Sequence, residues 1–119
     1  MKKTFAIVGC GFLGSIVADA YASNLLPDYE LIAAFSRDMS DAVRVSEKTD
    51  CAAVSEIETL IALKPDYIVE TASVEWVREN AVKVLEAGIS LVVVSIGAFA
   101  DAALYEQVKA AAVSCDRKV

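Results

Sequence analysis

Apolar residues follow two alternating rhythms along this chain. Short runs with little polar interruption predict strands over residues 3–8, 30–35, 51–54, 67–70 and 91–95. Between them, apolar residues recur every three or four positions and predict helices. Leu13, Ile16, Val17, Ala20 and Tyr21 mark the first, and Ala42, Val43 and Val45, leading to Lys48, mark the second. Ser55, Glu56 and Ile57 open a brief third helix that stops before Pro65. Val74, Val77, Ala81, Val84 and Leu85 share one face of a fourth, and Ala102, Leu104, Tyr105, Val108 and Ala112 one face of a fifth. Polar residues punctuate these elements. Residues 24–28, with Pro27, form a loop; Asp38 or Ser40 caps the second helix; Ser73, with Glu75 in the first turn, opens the fourth and Gly88 ends it; Asp101 opens the fifth. Arg117, Lys118 and Val119 read as the first residues of a sixth strand. This alternation predicts a single α/β domain, a doubly wound parallel sheet in the order 3-2-1-4-5 with helices on both faces.

Composition sharpens that picture. With 119 residues the chain has room for one domain, and its 56% hydrophobic content and mean hydropathy of +0.49 suit strands buried on both faces. The apolar excess also predicts a face meant for another domain or a second copy, so a homodimer is expected. A formal charge of −6 speaks against nucleic acid and against an anionic membrane surface. The longest apolar stretch, 89–100, contains Ser90, Ser95 and Gly97 and is too short to cross a bilayer. Met1-Lys2-Lys3-Thr4 is followed by an apolar run that glycines break early, with no cleavage site, and reads as the start of a mature cytoplasmic protein. Cys10, Cys51 and Cys115 are odd in number and far apart, so they encode neither a disulfide framework nor a metal site and are expected in the core or loops.

The candidate chemistry begins where the first strand ends. Gly9, Gly11 and Gly14 stand at G-x-G-x-x-G spacing between a predicted strand and a predicted helix, the setting of a dinucleotide-binding turn in a Rossmann-like fold. Gly9 permits the sharp turn, Gly11 lets a pyrophosphate approach the backbone, and Gly14 lets helix and strand pack closely. Phe12 and Leu13 complete the loop, whose free N–H groups and helix dipole attract phosphate without a basic side chain. In such a sheet the ligand lies across the carboxyl ends of the strands. Ser36 and Arg37 after the second strand, Ala72 and Ser73 after the fourth, and Ser95, Gly97 and Ala98 after the fifth are therefore the further cofactor-binding candidates. Ser73 serves equally as a plain helix cap; Gly97 has the better case for a cofactor contact, since it lets a flat ring approach the backbone, with an ordinary turn as the alternative. Trp76 is expected to half-cover a surface beside the cleft, and Glu70 to hydrogen-bond nearby loop backbone rather than act as a catalytic acid. The chain has no histidine, and no catalytic residue is identified. NADP is expected in preference to NAD, or at least well accepted. An NAD-selective fold places an acidic residue about 20 residues past the loop; Ser36 stands there, with the phosphate-matching fork of Arg37 beside it. Asp38 is the residue that would restore NAD selectivity if the strand ran longer.

Two segments carry a more specific resemblance. Val69-Glu70-Thr71-Ala72-Ser73 and Ser95-Ile96-Gly97-Ala98-Phe99-Ala100-Asp101 are similar to the V-E-x-A-S and S-x-G-A-[FL]-A-D motifs of the L-aspartate dehydrogenase family. That family is related to the nucleotide-binding domain of homoserine dehydrogenases, and the resemblance runs nearly the full chain. It implies an enzyme that oxidises L-aspartate to iminoaspartate with NAD or NADP, its catalytic histidine and amino-acid pocket in a second domain absent from this chain. The chain by itself is then expected to be inactive. A homoserine dehydrogenase-like oxidoreductase and a stand-alone dinucleotide-sensing module remain alternatives.

Overall fold

Strands that are apolar on both faces must be covered on both, and this chain does so by sending its first two crossovers to one side of the sheet and the later ones to the other. The computed structural model describes residues 2–119. Its elements are β1 (Lys3–Val8), α1 (Phe12–Ala22), β2 (Tyr29–Phe35), α2 (Met39–Thr49), β3 (Ala52–Val54), α3 (Ile57–Ala62), β4 (Tyr67–Glu70), α4 (Val74–Glu86), β5 (Ser90–Val93), a 3₁₀ helix (Ile96–Ala100) and α5 (Ala102–Ser114). All strand pairs are parallel, in the order β3-β2-β1-β4-β5, so the expected doubly wound, Rossmann-like α/β fold is the one observed.

Two apolar cores lie on the two faces of the sheet. One joins Ala6 and Val8 of β1 and Ile68 of β4 to Leu60, Val77, Leu85, Leu104 and Val108, and so carries α3, α4 and α5. The other joins Phe5 and Ile7 to Ala18, Ala42 and Val45, and carries α1 and α2. The pairing register matters most for function. Val54, Phe35, Val8, Glu70 and Val93, the last residues of the strands, are successive register partners and form one row across the sheet. Every loop that follows a strand therefore leaves from the same edge.

Several boundaries differ from the sequence reading, each for a local reason. On α1 the face turned inward is Gly14 and Ala18, with Val17 and Tyr21 beside them, while Leu13 and Ile16 are exposed, because close packing on β1 selects the small residues. Val43 and Tyr105 are likewise exposed. β3 begins at Ala52 rather than Cys51, and β5 spans Ser90–Val93 rather than reaching Ser95. After β5 the Glu70 carboxylate takes the amides of Val94 and Ser95, and the chain turns into the 3₁₀ helix, which apolar periodicity gave no reason to expect. Residues 117–119 are not a strand, although Lys118 is laid against β5: its carbonyl accepts from the Leu91 amide at 2.9 Å and its own N–H donates to Ser90 Oγ at 3.1 Å.

Among the described residues no helix is long and apolar enough to cross a membrane. Leu85, fully buried on α4, gives a direct check of the larger core. Leu85→Ala is expected to lower unfolding stability by about 2–5 kcal/mol in a urea titration; a loss below about 1 kcal/mol would mean the α4 side of the core is not packed as described.

Candidate functional site

The turn after β1 is built by backbone constraint. Gly9 has φ +91°, and a Cβ there would lie 2.8 Å from the backbone of Thr71 and Ala72, so only glycine fits between β1 and the turn after β4. A Cβ on Gly14 would stand 2.0 Å from the Gly9 carbonyl oxygen, which is how tightly α1 is seated on the loop. Gly11 is different, because a Cβ there meets nothing within 4 Å. Its missing side chain serves no contact inside the protein and leaves clear the approach to the first turn of α1. No side chain caps that helix, whereas Asp38, Ser73 and Asp101 cap α2, α4 and α5. Its first N–H groups thus remain available to an anion, and the loop fits a pyrophosphate. Phe12, 80% exposed, and the half-exposed Leu13 flank this opening.

Next to the loop, Glu70 is fully buried at the end of β4. Burying a carboxylate is costly unless it is fully hydrogen-bonded, and this one is. Its Oε1 accepts from the amides of Val94 (3.1 Å) and Ser95 (2.9 Å), and its Oε2 from the amide of Ala72 (2.8 Å) and the hydroxyl of Ser95 (2.7 Å). The expected bond to loop backbone is therefore present, and one side chain joins the loops after β4 and β5. Thr71 extends the joint to the glycine turn, its hydroxyl lying 3.0 and 2.8 Å from the carbonyl oxygens of Val8 and Gly9.

The other side of the turn is a cleft of about 250 Å³ lined by Gly9, Phe35, Ser36, Arg37, Ala72, Ser73 and Trp76. Four of the predicted cofactor positions besides Gly9 are thus brought together. Ser73 Oγ accepts from the Trp76 amide at 3.0 Å, so the residue is a helix cap at the cleft wall. Trp76 is buried, at 3% exposure, instead of half-covering a surface, because the first turn of α4 points it into the core. Its Nε1 is the one buried side-chain nitrogen or oxygen without a partner among the described residues. Ser95 is held by Glu70, Ala98 turns its methyl into the core, and a Cβ added to Gly97 would lie 3.7 Å from the Val74 side chain; none of the three lines the cleft.

Charge collects on the β2 side. Asp38 is committed to capping: its Oδ1 accepts from the Ser40 amide at 3.0 Å and the Ser40 hydroxyl at 2.7 Å, bonds that hold its carboxyl below the usual range. Arg37 is exposed and has no side-chain hydrogen bond or ion pair among the described residues. The sequence reading missed Arg44. From α2 its guanidinium donates to the Cys10 carbonyl oxygen at 2.9 Å and to Asp41 at 3.0 Å, tying helix to glycine loop. Nothing in its spacing marks it, since it stands in the second turn of α2 and reaches the loop only through the packing of that helix. Cys10 is buried and donates to the Phe35 carbonyl oxygen; burial, with Asp41 nearby, pushes its thiol up to about 11, so it is not a nucleophile at neutral pH.

This geometry accords with the known proteins the chain resembles. The NAD-binding domain family of homoserine dehydrogenase matches residues 9–119, and the chain belongs to that family. It is an NAD-binding domain of the oxidoreductase type. The L-aspartate dehydrogenase of Methanococcus maripaludis (strain C5) is 30% identical over 113 residues, which cover 95% of this chain and 42% of that protein. That of Methanosarcina mazei is 37% identical over 102 residues, 84% of this chain and 37% of the relative. The chain thus spans about two fifths of the length of these relatives. Among solved structures, the WlbA dehydrogenase from Bordetella pertussis in complex with NADH and UDP-GlcNAcA has a TM-score of 0.85 at 19% identity, covering 98% of this chain and 34% of that one. GenD2 from gentamicin A biosynthesis, in complex with NAD, has a TM-score of 0.84 at 18% identity, covering 98% and 33%. At such identities the likeness is one of fold.

The Glu70 joint gives a sharp expectation. Glu70→Ala removes the side-chain acceptor of the Ala72 and Ser95 amides and the Ser95 hydroxyl, leaves the Val94 amide only its bond to the Glu70 carbonyl oxygen, and is expected to destabilise the chain by about 2–4 kcal/mol. Glu70→Gln, which keeps a carbonyl oxygen facing Val94 and Ser95, should lose less. Equal melting temperatures for wild type and Glu70→Ala would remove the joint from the account.

Proposed function

We propose that this chain is the NAD(P)-binding domain of an L-aspartate dehydrogenase whose catalytic residues and amino-acid pocket belong to a second domain outside residues 1–119. The observation that carries this reading is the Glu70 joint. It binds together the two segments most similar to that family, Val69 to Ser73 and Ser95 to Asp101, through four hydrogen bonds. The relatives at 30% and 37% identity, both L-aspartate dehydrogenases, support the same substrate. A homoserine dehydrogenase-like oxidoreductase is the second reading, favoured by the family match itself. When bound, the dinucleotide supplies the nicotinamide that accepts hydride from the amino acid. The residues of this chain bind and orient it. Gly11 and the first turn of α1 receive the pyrophosphate; Ser36, Arg37, Ala72 and Ser73 surround the adenosine half; Ser95, Gly97 and Ala98 border the nicotinamide half. None is placed to move a proton, since Glu70 is engaged in four bonds, Cys10 holds its proton and the chain has no histidine. By itself it should bind cofactor and leave aspartate unchanged. The exposed apolar residues Val92 of β5 and Val94 just beyond it support pairing with a second copy.

Calorimetric titration of the chain with NADP and NAD, alongside an assay for aspartate-dependent reduction, tests the proposal. Binding without turnover is expected; no binding, or turnover by the chain alone, would contradict it. Gly11→Val is expected to abolish binding while the melting temperature stays unchanged, because the new side chain meets only the space meant for phosphate. Retained affinity would remove the loop assignment. With Asp38 committed to its cap, Arg37→Ala is expected to weaken NADP about 10-fold, the scale of one charge-assisted bond discounted for exposure. NAD affinity should barely move. A preference for NAD that survives Arg37→Ala and disappears in Asp38→Ala would assign the selectivity to Asp38.

A further inference from the structure

The two faces of the sheet are covered unequally. On the side of α1 and α2 the buried core residues come mainly from β1 and β2, whereas Tyr67 and Val69 of β4 are only partly buried there. Val92 of β5, the register partner of Val69 and so on the same face, belongs to neither core and is 46% exposed. Neighbouring strands lie about 4.8 Å apart and a helix with its side chains is about 10 Å across, so the bare strip over β4 and β5 is one helix wide. It forms a slot of about 350 Å³, floored by Tyr67, Val69 and Val92, walled by Val17 of α1, with Leu26 and Tyr29 at the end where β2 begins. No lining residue is charged. The helix beside the slot turns apolar residues toward it. The pair of Asp19 and Lys48, at 2.7 Å, marks the side of α1 that meets α2. Leu13, Val17 and Ala20, spaced four and three apart, line the opposite flank, and Ile16 stands on the outer surface next to them. Leu13 and Ile16 are about half exposed, and Phe12 at the head of the helix is more exposed still. The sheet takes Gly14 and Ala18, so α1 carries a second apolar face that nothing covers among the described residues.

We propose that this face is the interface between two copies of the chain, related by a two-fold axis running along α1, with the outer ridge of α1 in each copy, Phe12 and Ile16, seated in the slot of the other. The inference names the surface for the pairing with a second copy stated above, rests on that pairing, and does not depend on cofactor or substrate. What selects a second copy is that the surface carries both halves of the contact side by side, a ridge one helix wide and an open slot one helix wide. Rotation by 180° about the line between them exchanges ridge and slot, which is the self-complementarity an isologous interface requires. The assembly is then layered, with α1 of both copies lying side by side between the two sheets. Each bare strip receives a helix, the cover that parallel strands need on both faces. The chemistry agrees with the shape. Interface centres are depleted of charge, and the charges nearest the ridge, Asp19 and Lys48, satisfy each other on the flank turned away from the slot. Exposed apolar residues scattered singly need no explanation, but these form one continuous patch.

Sedimentation equilibrium of the chain over a range of concentrations tests this, with the circular dichroism spectrum of each variant as the check on folding. Wild type is expected to be dimeric at micromolar concentration. Ile16→Glu and Val92→Lys each put a charge into the contact and are expected to raise the dissociation constant at least about 10-fold. Their spectra should match wild type, since both side chains are half exposed in a single copy. Ile16 of one copy meets Val92 of the other, so the double variant sets opposite charges together and should recover part of the loss. Val113→Glu, on the exposed side of α5, should leave association unchanged. Copies of charge −6 repel one another and the contact holds no ion pair, so added salt is expected to tighten the dimer. A dimer that survives both single substitutions, that dissociates in Val113→Glu, or that weakens with salt would put the pairing on another surface and overturn the proposal while leaving the pairing itself standing. So would a double variant no better than the singles. If Val92→Lys alters the spectrum, Ile16→Glu decides. A wild-type chain that stays monomeric at millimolar concentration would overturn both the pairing and this interface, and the slot would belong to a different occupant.

Discussion

The buried carboxylate of Glu70 is the interaction on which the functional edge of this domain depends. A parallel sheet brings strand ends into one row but leaves the loops beyond them to find their own partners. Here the loops after β4 and β5 find the same one. Four donors converge on a single side chain with no exposure, at a position where burial makes each bond stronger and each loss costlier. The Thr71 hydroxyl then carries the constraint to Val8 and Gly9, and the backbone pressed against Gly9 carries it into the glycine turn. Three loops from non-adjacent parts of the sequence are thereby held as one rigid surface. Such rigidity is useful at a binding site because the ordering is complete before the ligand arrives.

A second consequence concerns the division of labour between the two sides of β1. On the β4 side the polar groups are spent on one another, and what remains facing outward is backbone, small residues and the apolar side chains of Val94 and Ile96. On the β2 side charge is left over. Arg37 is unpaired among the described residues, while Arg44 holds the Cys10 carbonyl oxygen and Asp41, and Asp38 is occupied by its helix cap. Asp38 and Asp41 match the two arginines in number, so Arg37 alone is left without a charge partner there.

Much of this was legible in the sequence, because the strongest signals were short-range. Strand and helix alternate with clear periods, the caps Ser73 and Asp101 stand in their expected places, and the glycine spacing sits between the elements it needs. The parallel order follows from connection rules and not from distant contacts. What escaped the reading was set by contacts across the fold. The 3₁₀ helix replaces the end of a strand because Glu70, some 25 residues earlier, takes the amides of Val94 and Ser95. Small residues rather than Leu13 and Ile16 face inward on α1 because Gly14 must clear the Gly9 carbonyl. Trp76 is buried because its turn of α4 faces the larger core, and Arg44 reaches the loop only once α2 is laid beside it. None of these facts has a periodicity to betray it.

Mapping the backbone amide resonances of the chain during a titration with NADP tests most directly the claim that one edge of the sheet receives a dinucleotide. The claim predicts shifts concentrated at Gly9 to Gly14, Ser36, Arg37, Ala72, Ser73, Ser95 and Gly97. Shifts concentrated instead at the opposite end of the sheet, in the cavity lined by Lys2, Tyr21, Asn24 and Asp50, or absent throughout, would contradict it.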